Sequence, residues 1–254
     1  MGRNYDFKFD SSAMMVLCHP KDGYASIAHA ALDNVKCVNP FESEEKKLAC
    51  LTSPFICLDG INEKGVGIAV LTLDSDPVCQ DTGKPVLPTT ILIRLVLDKA
   101  ASADEAVEIL KKYDMYAISG RDYHFYITDR TGNGRVVEFD CNSEDRKMTV
   151  TLTRSVTNFY IMYKDKVLPN QKNGIYGHGR ERYDAIEEVF DKHNGTGDNE
   201  VAWEALKAAS QTPNPESITS NTQWSIAYDL ENLTYEFVLH RRWDDVITCD
   251  KLAR

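Results

Sequence analysis

The order of hydrophobic patterns along the chain is the feature that most restricts its fold. Apolar residues recur at every second position, as in half-buried strands, most clearly at Trp224, Ile226 and Tyr228 and then at Tyr235, Phe237 and Leu239. Residues Arg180–Lys192 and about 199–210 instead repeat apolar side chains at helical spacing. Strands are grouped with strands and helices with helices. This order predicts an α+β fold of layered antiparallel sheets and argues against a doubly wound βαβ fold.

The middle of the chain contains a predicted hairpin and a predicted helix. Apolar segments Leu51–Leu58 and Val66–Leu73 flank Asp59–Gly65, whose Asp-Gly and Lys-Gly steps are typical of turns. Ser102 and Glu105 have the spacing of a capping box, which predicts that a helix begins there. Further strands are predicted at 124–129, 135–139 and 148–152.

Composition narrows the possible classes of function. The 254 residues include 29 Lys+Arg and 39 Asp+Glu, which gives a net charge of −10, and 43% of them are apolar. Length and apolar content predict a single domain over residues 1–254 and exclude a disordered chain. Nucleic acid is not an expected partner, because phosphate contacts require a basic face. No glycine-rich phosphate-binding motif occurs, so nucleotide-dependent chemistry is not expected either.

Neither a membrane span nor a metal site is predicted. The most apolar run, 88–97, is short and contains Arg94, whereas a spanning helix needs about 20 apolar residues. No apolar signal segment follows Met1. The seven cysteines lack C-x-x-C spacing, which is typical of reduced thiols; Cys50 and Cys57 are expected in the core of the hairpin strands. We therefore expect a cytoplasmic protein with no metal, cofactor or membrane partner.

Four polar groups stand where apolar segments begin or end: Gly2–Phe7, Val156–Asn158, Gly179–Tyr183 and Ser220–Trp224. Taken singly, each has an ordinary structural interpretation. Arg3 and Asp6 have the spacing of a packing ion pair. Asn158 is typical of a turn at a strand end, and Arg182 is typical of a surface charge.

Together and in this order, these groups resemble one family. The chain is similar to choloylglycine hydrolases and penicillin V acylases, which are N-terminal-nucleophile hydrolases; the residues that carry the resemblance are Gly2–Asp6, Asp59–Gly65, Val156–Asn158 and Asn221–Trp224. The resemblance implies an αββα sandwich, in which two stacked antiparallel sheets are covered by helices. It also implies a homotetramer or dimer and a small-molecule N-acyl amide as substrate.

The resemblance further implies a reaction and the residues that support it. In the family, the thiolate of an N-terminal cysteine attacks a linear amide, and a thioester acyl-enzyme follows. The α-amine of that cysteine exchanges protons, for which its ordinary pKa of about 7.7–8.0 is suited. By position, Arg3 would favour the thiolate, Asp6 would orient the amine, Asn158 would donate to the oxyanion, and Arg182 would steady these groups or the substrate.

A second set of candidates concerns substrate binding. Some relatives carry an asparagine as a second oxyanion donor where this chain has Thr72, so a hydroxyl would take that place. Asn221 is expected to have a structural role near the site. Tyr5, Phe7 and Phe159 adjoin motif residues and could contact an acyl or steroid body, although packing in the core is the alternative for each of the three.

One departure from the family concerns the nucleophile. Relatives reach Gly-Arg-Asn only after an opening strand pair that begins with cysteine, whereas here Met1 precedes Gly2 directly. The first strand and the nucleophile are therefore expected to be missing, through a truncated start, a degenerate member, or a strand supplied by another chain. Cys18 is internal and is expected in the core. The predicted function is hydrolysis of a linear amide, with this chain alone inactive; a non-catalytic acyl-ligand binder and an acyltransferase are the alternatives.

Overall fold

The computed structural model describes residues 1–37, 39–117, 119–195, 197–216 and 220–249. Its strands are β1 (Gly2–Asp6), β2 (Ala13–Cys18), β3 (Ser26–Ala31), β4 (Cys57–Asn62), β5 (Gly67–Leu73), β6 (Val86–Pro88), β7 (Asp114–Tyr116), β8 (Asp122–Thr128), β9 (Arg135–Phe139), β10 (Met148–Leu152), β11 (Thr222–Asp229), β12 (Thr234–Leu239) and β13 (Ile247–Cys249). Its α-helices are α1 (Glu44–Ala49), α2 (Thr89–Lys99), α3 (Ala103–Leu110), α4 (Arg180–Lys192) and α5 (Asn199–Ala208). Short 3₁₀ helices span Leu32–Val35, Cys50–Phe55 and Ile161–Lys166.

Two antiparallel sheets form the centre of the fold. The larger has the order β10-β9-β8-β5-β4-β3-β2, and the smaller has the order β1-β11-β12-β13. Strand β1 is thus held at the edge of the smaller sheet by strand β11, more than 200 residues later in the chain. A separate parallel pair joins β6 to β7. Non-local pairings of this kind bring the two ends of the chain together.

The hydrophobic core lies in layers. One cluster packs α2 and α3 against the larger sheet, with fully buried residues such as Leu92, Ile93 and Phe125. A second cluster joins the two sheets, where Ile27 and Ile61 meet aromatic side chains of β11. Helices α4 and α5 pack on each other, and α5 also contacts β1 and β11. The predicted four-layer αββα sandwich is therefore confirmed, because each sheet buries one face against helices and the other against its partner sheet.

Elements with a strong local signal lie where the sequence predicts them. Helix α4 and strands β9 and β10 have the predicted bounds. Ser102 is the N-cap of α3, and its hydroxyl accepts a hydrogen bond from the backbone N–H of Glu105 at 3.1 Å. A capping residue fixes a helix start through neighbouring backbone groups, so no distant contact is needed to predict it.

The predicted central hairpin exists, but its bounds are wrong. Residues 51–55 form part of a 3₁₀ helix, β4 extends through Asn62, and the turn lies at 63–66. Asp59 and Gly60 are therefore strand residues. The reason is a close approach between strands: a Cβ on Gly60 would lie 2.5 Å from the carbonyl oxygen of Ile27 and 2.8 Å from Cβ of Ala28. Glycine at 60 serves packing and not a turn.

This packing gives a stability prediction. Replacing Gly60 with alanine should lower the free energy of unfolding by about 1–3 kcal/mol, because the added methyl group overpacks a buried site between β3 and β4. Urea denaturation measures the change. Gly197→Ala is the matched control, since its new Cβ would make only an ordinary contact of 3.4 Å with Phe190. Equal stability of the two variants would contradict the packing argument.

Among the helices of the described residues, none is long and apolar enough to cross a bilayer. The apolar run at 88–97 instead forms most of α2, an 11-residue helix whose N-cap is Pro88. Its apolar face is buried on the larger sheet, which explains the run as core packing.

Candidate active site

One cavity of about 750 Å³ opens between the two sheets and the layer of α4 and α5. It is lined by most of the candidates from the sequence, namely Arg3, Tyr5, Asp6, Phe7, Thr72, Asn158 and Arg182. These residues come from β1 and the residue after it, from β5, from the segment after β10, and from the first turn of α4. The fold therefore brings together groups that lie far apart in the chain.

Arg3 is the most constrained of these side chains. Its Nε lies 2.9 Å from Oδ2 of Asp59. Its Nη1 donates to the carbonyl oxygens of Leu58 at 3.1 Å and Val70 at 2.8 Å. The guanidinium is thus fixed in the cavity wall by two neighbouring strands of the larger sheet. Arg3 therefore pairs with the carboxylate of Asp59. The spacing in the sequence predicted a pair with Asp6 instead.

Asp59 belongs to a buried polar cluster that the sequence analysis missed. Its side chain is 1% exposed, and it accepts a hydrogen bond from the Tyr228 hydroxyl. His29, which is paired with Asp59 across β3 and β4, places Nδ1 2.8 Å from the same hydroxyl oxygen. Burial raises the pKa of Asp59, but Arg3, His29 and Tyr228 outweigh it and hold the pKa below its ordinary value. The carboxylate is therefore charged and holds Arg3 in place.

Asp6 faces the cavity at a break in the register of β1. The register with β11 shifts between Tyr5 and Asp6, so that Asp6 lies opposite Thr222. The Thr222 hydroxyl donates to one carboxylate oxygen at 2.6 Å, and Nε2 of Gln211 donates to the other at 2.7 Å. Burial raises the pKa of Asp6 above its ordinary value, although Arg182, Thr222 and Gln211 oppose the shift.

Arg182 connects Asp6 to Asn158. Its Nη1 lies 3.8 Å from Asp6, and its Nη2 donates to Oδ1 of Asn158 at 3.0 Å. The amide nitrogen of Asn158 then donates to Thr72, at 3.0 Å to the carbonyl oxygen and 3.3 Å to the hydroxyl. Asn158 thereby has a fixed amide orientation, with its nitrogen on the side of Thr72. Thr72 lines the cavity beside Asn158.

The start of α4 requires a glycine to place Arg182. Gly179, the N-cap, has a φ of 87°, which is in the left-handed region. A Cβ at this position would lie 2.2 Å from Nη2 of Arg182. The motif Gly179–Tyr183 therefore combines a special backbone angle with space for the guanidinium. This explains why the glycine accompanies the arginine in the sequence.

The aromatic candidates fall into two groups. Tyr5 stacks on Trp224 at 4.0 Å between ring centroids, and the Phe7 ring lies 6.4 Å from Tyr5. Both line the cavity. Phe159 is fully buried against Tyr183 in a separate cluster, and it is absent from the described lining of the cavity. Phe159 thus has the packing role that was its alternative interpretation.

Asn221 supports the site from outside the described cavity wall. Its φ is 65°, a left-handed conformation that asparagine adopts more readily than most residues. Its Oδ1 accepts a hydrogen bond from Nη1 of Arg241 at 2.9 Å, and its carbonyl oxygen accepts from the backbone N–H of Phe7 at 3.3 Å. These contacts hold the end of β1 beside the start of β11.

Several supporting residues escaped the sequence analysis: His29, Asp59, Gln211, Thr222 and Tyr228. Two of them carry a signal that could have been used. His29 interrupts a run of small residues, Ser26–Ala31, and Asp59 interrupts an apolar segment. A polar side chain inside a buried strand needs a partner, which points to a tertiary contact. Gln211 and Thr222 lie in polar stretches of the sequence and Tyr228 belongs to an apolar alternation, so these three give no local signal of the site.

The cysteines lie away from the described lining of the cavity. All seven cysteines lie in the described part of the chain, and none of them lines the cavity. Among the described residues, no cluster of three or more His, Cys, Asp or Glu could hold a metal ion. The groups that the wall supplies include the guanidinium groups of Arg3 and Arg182, the carboxyl group of Asp6 and the amide of Asn158.

The raised pKa of Asp6 gives a pH prediction. The folded state binds a proton at Asp6 more tightly than the unfolded state does. The contribution of this group to stability is therefore present below the ordinary pKa and is lost as pH rises through the folded pKa. In Asp6→Asn this contribution is absent, so the variant should become more stable relative to the parent as pH rises across the acid range.

Urea denaturation at several pH values, from about 3 to about 7, measures this difference. The loss of the hydrogen bonds from Thr222 and Gln211 also changes the free energy of unfolding of Asp6→Asn, but by the same amount at every pH. Asp10→Asn, at an exposed position, is the control. A difference between Asp6→Asn and the parent that stays flat over the whole range would contradict the prediction.

The sequence matches one family of known proteins. Residues 1–244 match the model of the family described as acyl-coenzyme A:6-aminopenicillanic acid acyl-transferase. Among curated proteins, none matches the chain significantly. The sequence match covers β1 through β12, and it therefore includes every residue that lines the cavity.

Solved structures show the same fold. Two variants of conjugated bile acid hydrolase from Clostridium perfringens superimpose with TM-scores of 0.68 and 0.67 at 18% identity, over 98% of this chain and 88% and 87% of theirs. Penicillin V acylase from Agrobacterium tumefaciens has a TM-score of 0.66 at 18% identity, over 98% of this chain and 81% of that one. At this level of identity the likeness concerns the fold alone.

Proposed function

The chain belongs to the acyl-coenzyme A:6-aminopenicillanic acid acyl-transferase family, and from that premise we propose that its cavity is the site where a linear, non-peptide amide C–N bond of an N-acylated small molecule is hydrolysed. The observation that carries this proposal is a connected series of side chains along one wall of the cavity, in which Asp6 forms an ion pair with Arg182 and hydrogen bonds join Arg182 to Asn158 and Asn158 to Thr72. The fold neighbours are a bile acid hydrolase and a penicillin acylase by name, which supports the same class of substrate.

The proposed reaction uses the N-terminal cysteine of the family pattern, on a segment joined ahead of Gly2. The thiolate attacks the amide carbonyl carbon, and the carbonyl electrons move to oxygen to form a tetrahedral oxyanion. As the C–N bond breaks, the leaving amine takes a proton from the α-ammonium group. Water then attacks the thioester, its proton passes to the α-amine, and the thiolate and a carboxylic acid are released.

The described residues would assist these steps in different ways. Arg3, fixed by Asp59, places positive charge at the edge of β1, where it would favour a nearby thiolate. Asp6, oriented by Thr222 and Gln211, would accept a hydrogen bond from the α-amine. Asn158, whose amide is already oriented by Thr72 and Arg182, would donate an amide N–H to the oxyanion, where one donor typically contributes ~3–4 kcal/mol. Tyr5 and Phe7 would contact the apolar body of the substrate.

Two other functions have an observation in their favour. The matched family is described as an acyl-transferase, which favours transfer of the acyl group to an amine in place of water. The lack of any cysteine in the cavity wall, over the described residues, favours a non-catalytic acyl-ligand binder. Both would use the same cavity, so they differ from the main proposal in chemistry and not in location.

The test is an extended protein in which a short strand beginning with cysteine precedes Gly2. Hydrolysis is assayed on conjugated bile salts, penicillin V and fatty acyl amides side by side. The expected result is turnover of one class together with an acylated cysteine detected by mass spectrometry. An amine added to the same assay could accept the acyl group in place of water. Detection of the new amide formed from that amine would report acyl transfer.

Two outcomes would count against the proposal. Activity that survives Cys→Ala at the new terminus would refute the thioester route. Saturable binding of an N-acyl amide, with no turnover by the extended protein, would favour the binder. Calorimetry with the intact amide measures that binding independently of catalysis.

A further inference from the structure

Two thiols outside the cavity lie close enough to react with one another. Cys37 follows the 3₁₀ helix Leu32–Val35 and is fully buried, whereas Cys50 begins the 3₁₀ helix Cys50–Phe55 and is partly exposed. Their Sγ atoms are 3.9 Å apart. Both Sγ atoms also face the carbonyl oxygen of Lys46, at 3.7 and 3.3 Å. The two thiols thus lie side by side at one backbone carbonyl oxygen of α1.

This arrangement differs from the prediction that Cys50 lies in a strand of the central hairpin. Cys57 is indeed buried in β4, but Cys50 precedes that strand and its side chain reaches the surface. Pro54 lies inside the 3₁₀ helix, and proline is excluded from central strands because it lacks a ladder donor. The wrong strand assignment hid the proximity of Cys50 to Cys37.

We propose that Cys37 and Cys50 are an oxidative modification site that forms a reversible disulfide with a low-molecular-weight disulfide, of the glutathione class, as oxidant. The Cys50 thiolate attacks one sulfur of the oxidant, which leaves a mixed disulfide on Cys50 and releases one thiol. The Cys37 thiolate then attacks the Cys50 sulfur and releases the second thiol. Two protein thiols are oxidised, and one disulfide is reduced to two thiols.

The order of these steps follows from exposure and distance. Of the two thiols, Cys37 is buried and Cys50 is accessible to an external oxidant, so the mixed disulfide forms on Cys50. Cys37 lies next to the sulfur that it must attack, and a modest rotation of the two side chains would close the gap of 3.9 Å to a bond. No other two thiols of the described chain are within hydrogen-bonding distance of each other in the structure.

The disulfide would affect the wall of the cavity. The backbone N–H of Cys37 donates to the carbonyl oxygen of Leu32 at 3.0 Å, and Asp33 and Asn34 of the same 3₁₀ helix line the cavity. Oxidation would therefore tie this part of the wall to the segment that follows α1. The site is separate from the groups proposed for catalysis, so its test does not depend on turnover.

The experiment uses the whole protein in buffers of reduced and oxidised glutathione, followed by alkylation, tryptic digestion and mass spectrometry. In the parent, oxidised buffer should join peptides 37–46 and 48–64 through Cys37 and Cys50, and reduced buffer should separate them. In Cys37→Ser, most molecules should stop at a glutathione on Cys50. In Cys50→Ser, Cys37 should stay reduced because it is buried.

Exposed Cys79 is the internal control for reactivity of the oxidant. The proposal is overturned if Cys79 is modified while Cys37 and Cys50 remain reduced in the parent. It is also overturned if Cys37→Ser accumulates no glutathione at Cys50. Thermal unfolding checks that the serine variants are folded, and if they are not, the peptide map of the parent decides alone.

Discussion

Replacing Asn158 with alanine in the active, extended protein is expected to lower kcat about 10²–10³-fold, with KM nearly unchanged. The amide nitrogen is held by Thr72, and its oxygen is held by Arg182, so the donor is already oriented before substrate binds. A donor of this kind acts on the charge that develops in the transition state, and its loss therefore affects kcat more than substrate binding. Steady-state kinetics on the preferred amide measures both constants.

Two control variants make this prediction specific. Asn158→Asp keeps the size of the side chain and can still pair with Arg182, but it offers no N–H to an oxyanion, so it should lose as much activity as alanine. Asn133→Ala removes the same side chain from an exposed position of the same cavity wall and should change kcat little. A raised KM with unchanged kcat in Asn158→Ala would contradict the oxyanion role and indicate a substrate-binding role.

The parts of this structure that sequence predicts are those determined by near neighbours. Helix α4 has a continuous apolar stripe, and the start of α3 is fixed by the Ser102 cap three residues from Glu105. Strands β11 and β12 alternate apolar residues over the paired positions. In each case the signal and the structure that it determines lie within a few residues, so no tertiary information is required.

The site depends on contacts that local patterns do not contain. Arg3 and Asp6 are near each other in sequence, yet Arg3 pairs with Asp59 and Asp6 receives its hydrogen bonds from Gln211 and Thr222. Asn158 meets Thr72, 86 residues earlier. The resemblance to a family pointed to several of the residues that line the cavity. Their partners had to come from the structure, because sheet pairing between distant strands places them together.

Replacing Asp59 with alanine should have the largest effect on stability of the changes considered, with a loss of about 3–5 kcal/mol in the free energy of unfolding. The substitution leaves the guanidinium of Arg3 nearly buried with no carboxylate partner. It also removes the acceptor of the Tyr228 hydroxyl. Removing one partner of a buried ion pair lowers the free energy of unfolding much more than removing both. The remaining charge is still desolvated, and no partner offsets that desolvation.

The double variant Arg3→Met with Asp59→Leu separates this cause from simple loss of contacts. It removes both charges and fills the space with apolar side chains, so it should recover much of the stability that Asp59→Ala loses, as replaced buried ion pairs often do. Urea denaturation of the parent, the single variant and the double variant measures the three free energies. A single variant within about 1 kcal/mol of the parent, the range of an exposed ion pair, would show that Asp59 does not hold Arg3. A double variant as unstable as Asp59→Ala would have a different meaning. The contacts of Asp59 with His29 and Tyr228 are lost in both variants, whereas an unpaired Arg3 charge remains only in Asp59→Ala. Equal instability would therefore show that the fold requires those contacts and not the pairing with Arg3.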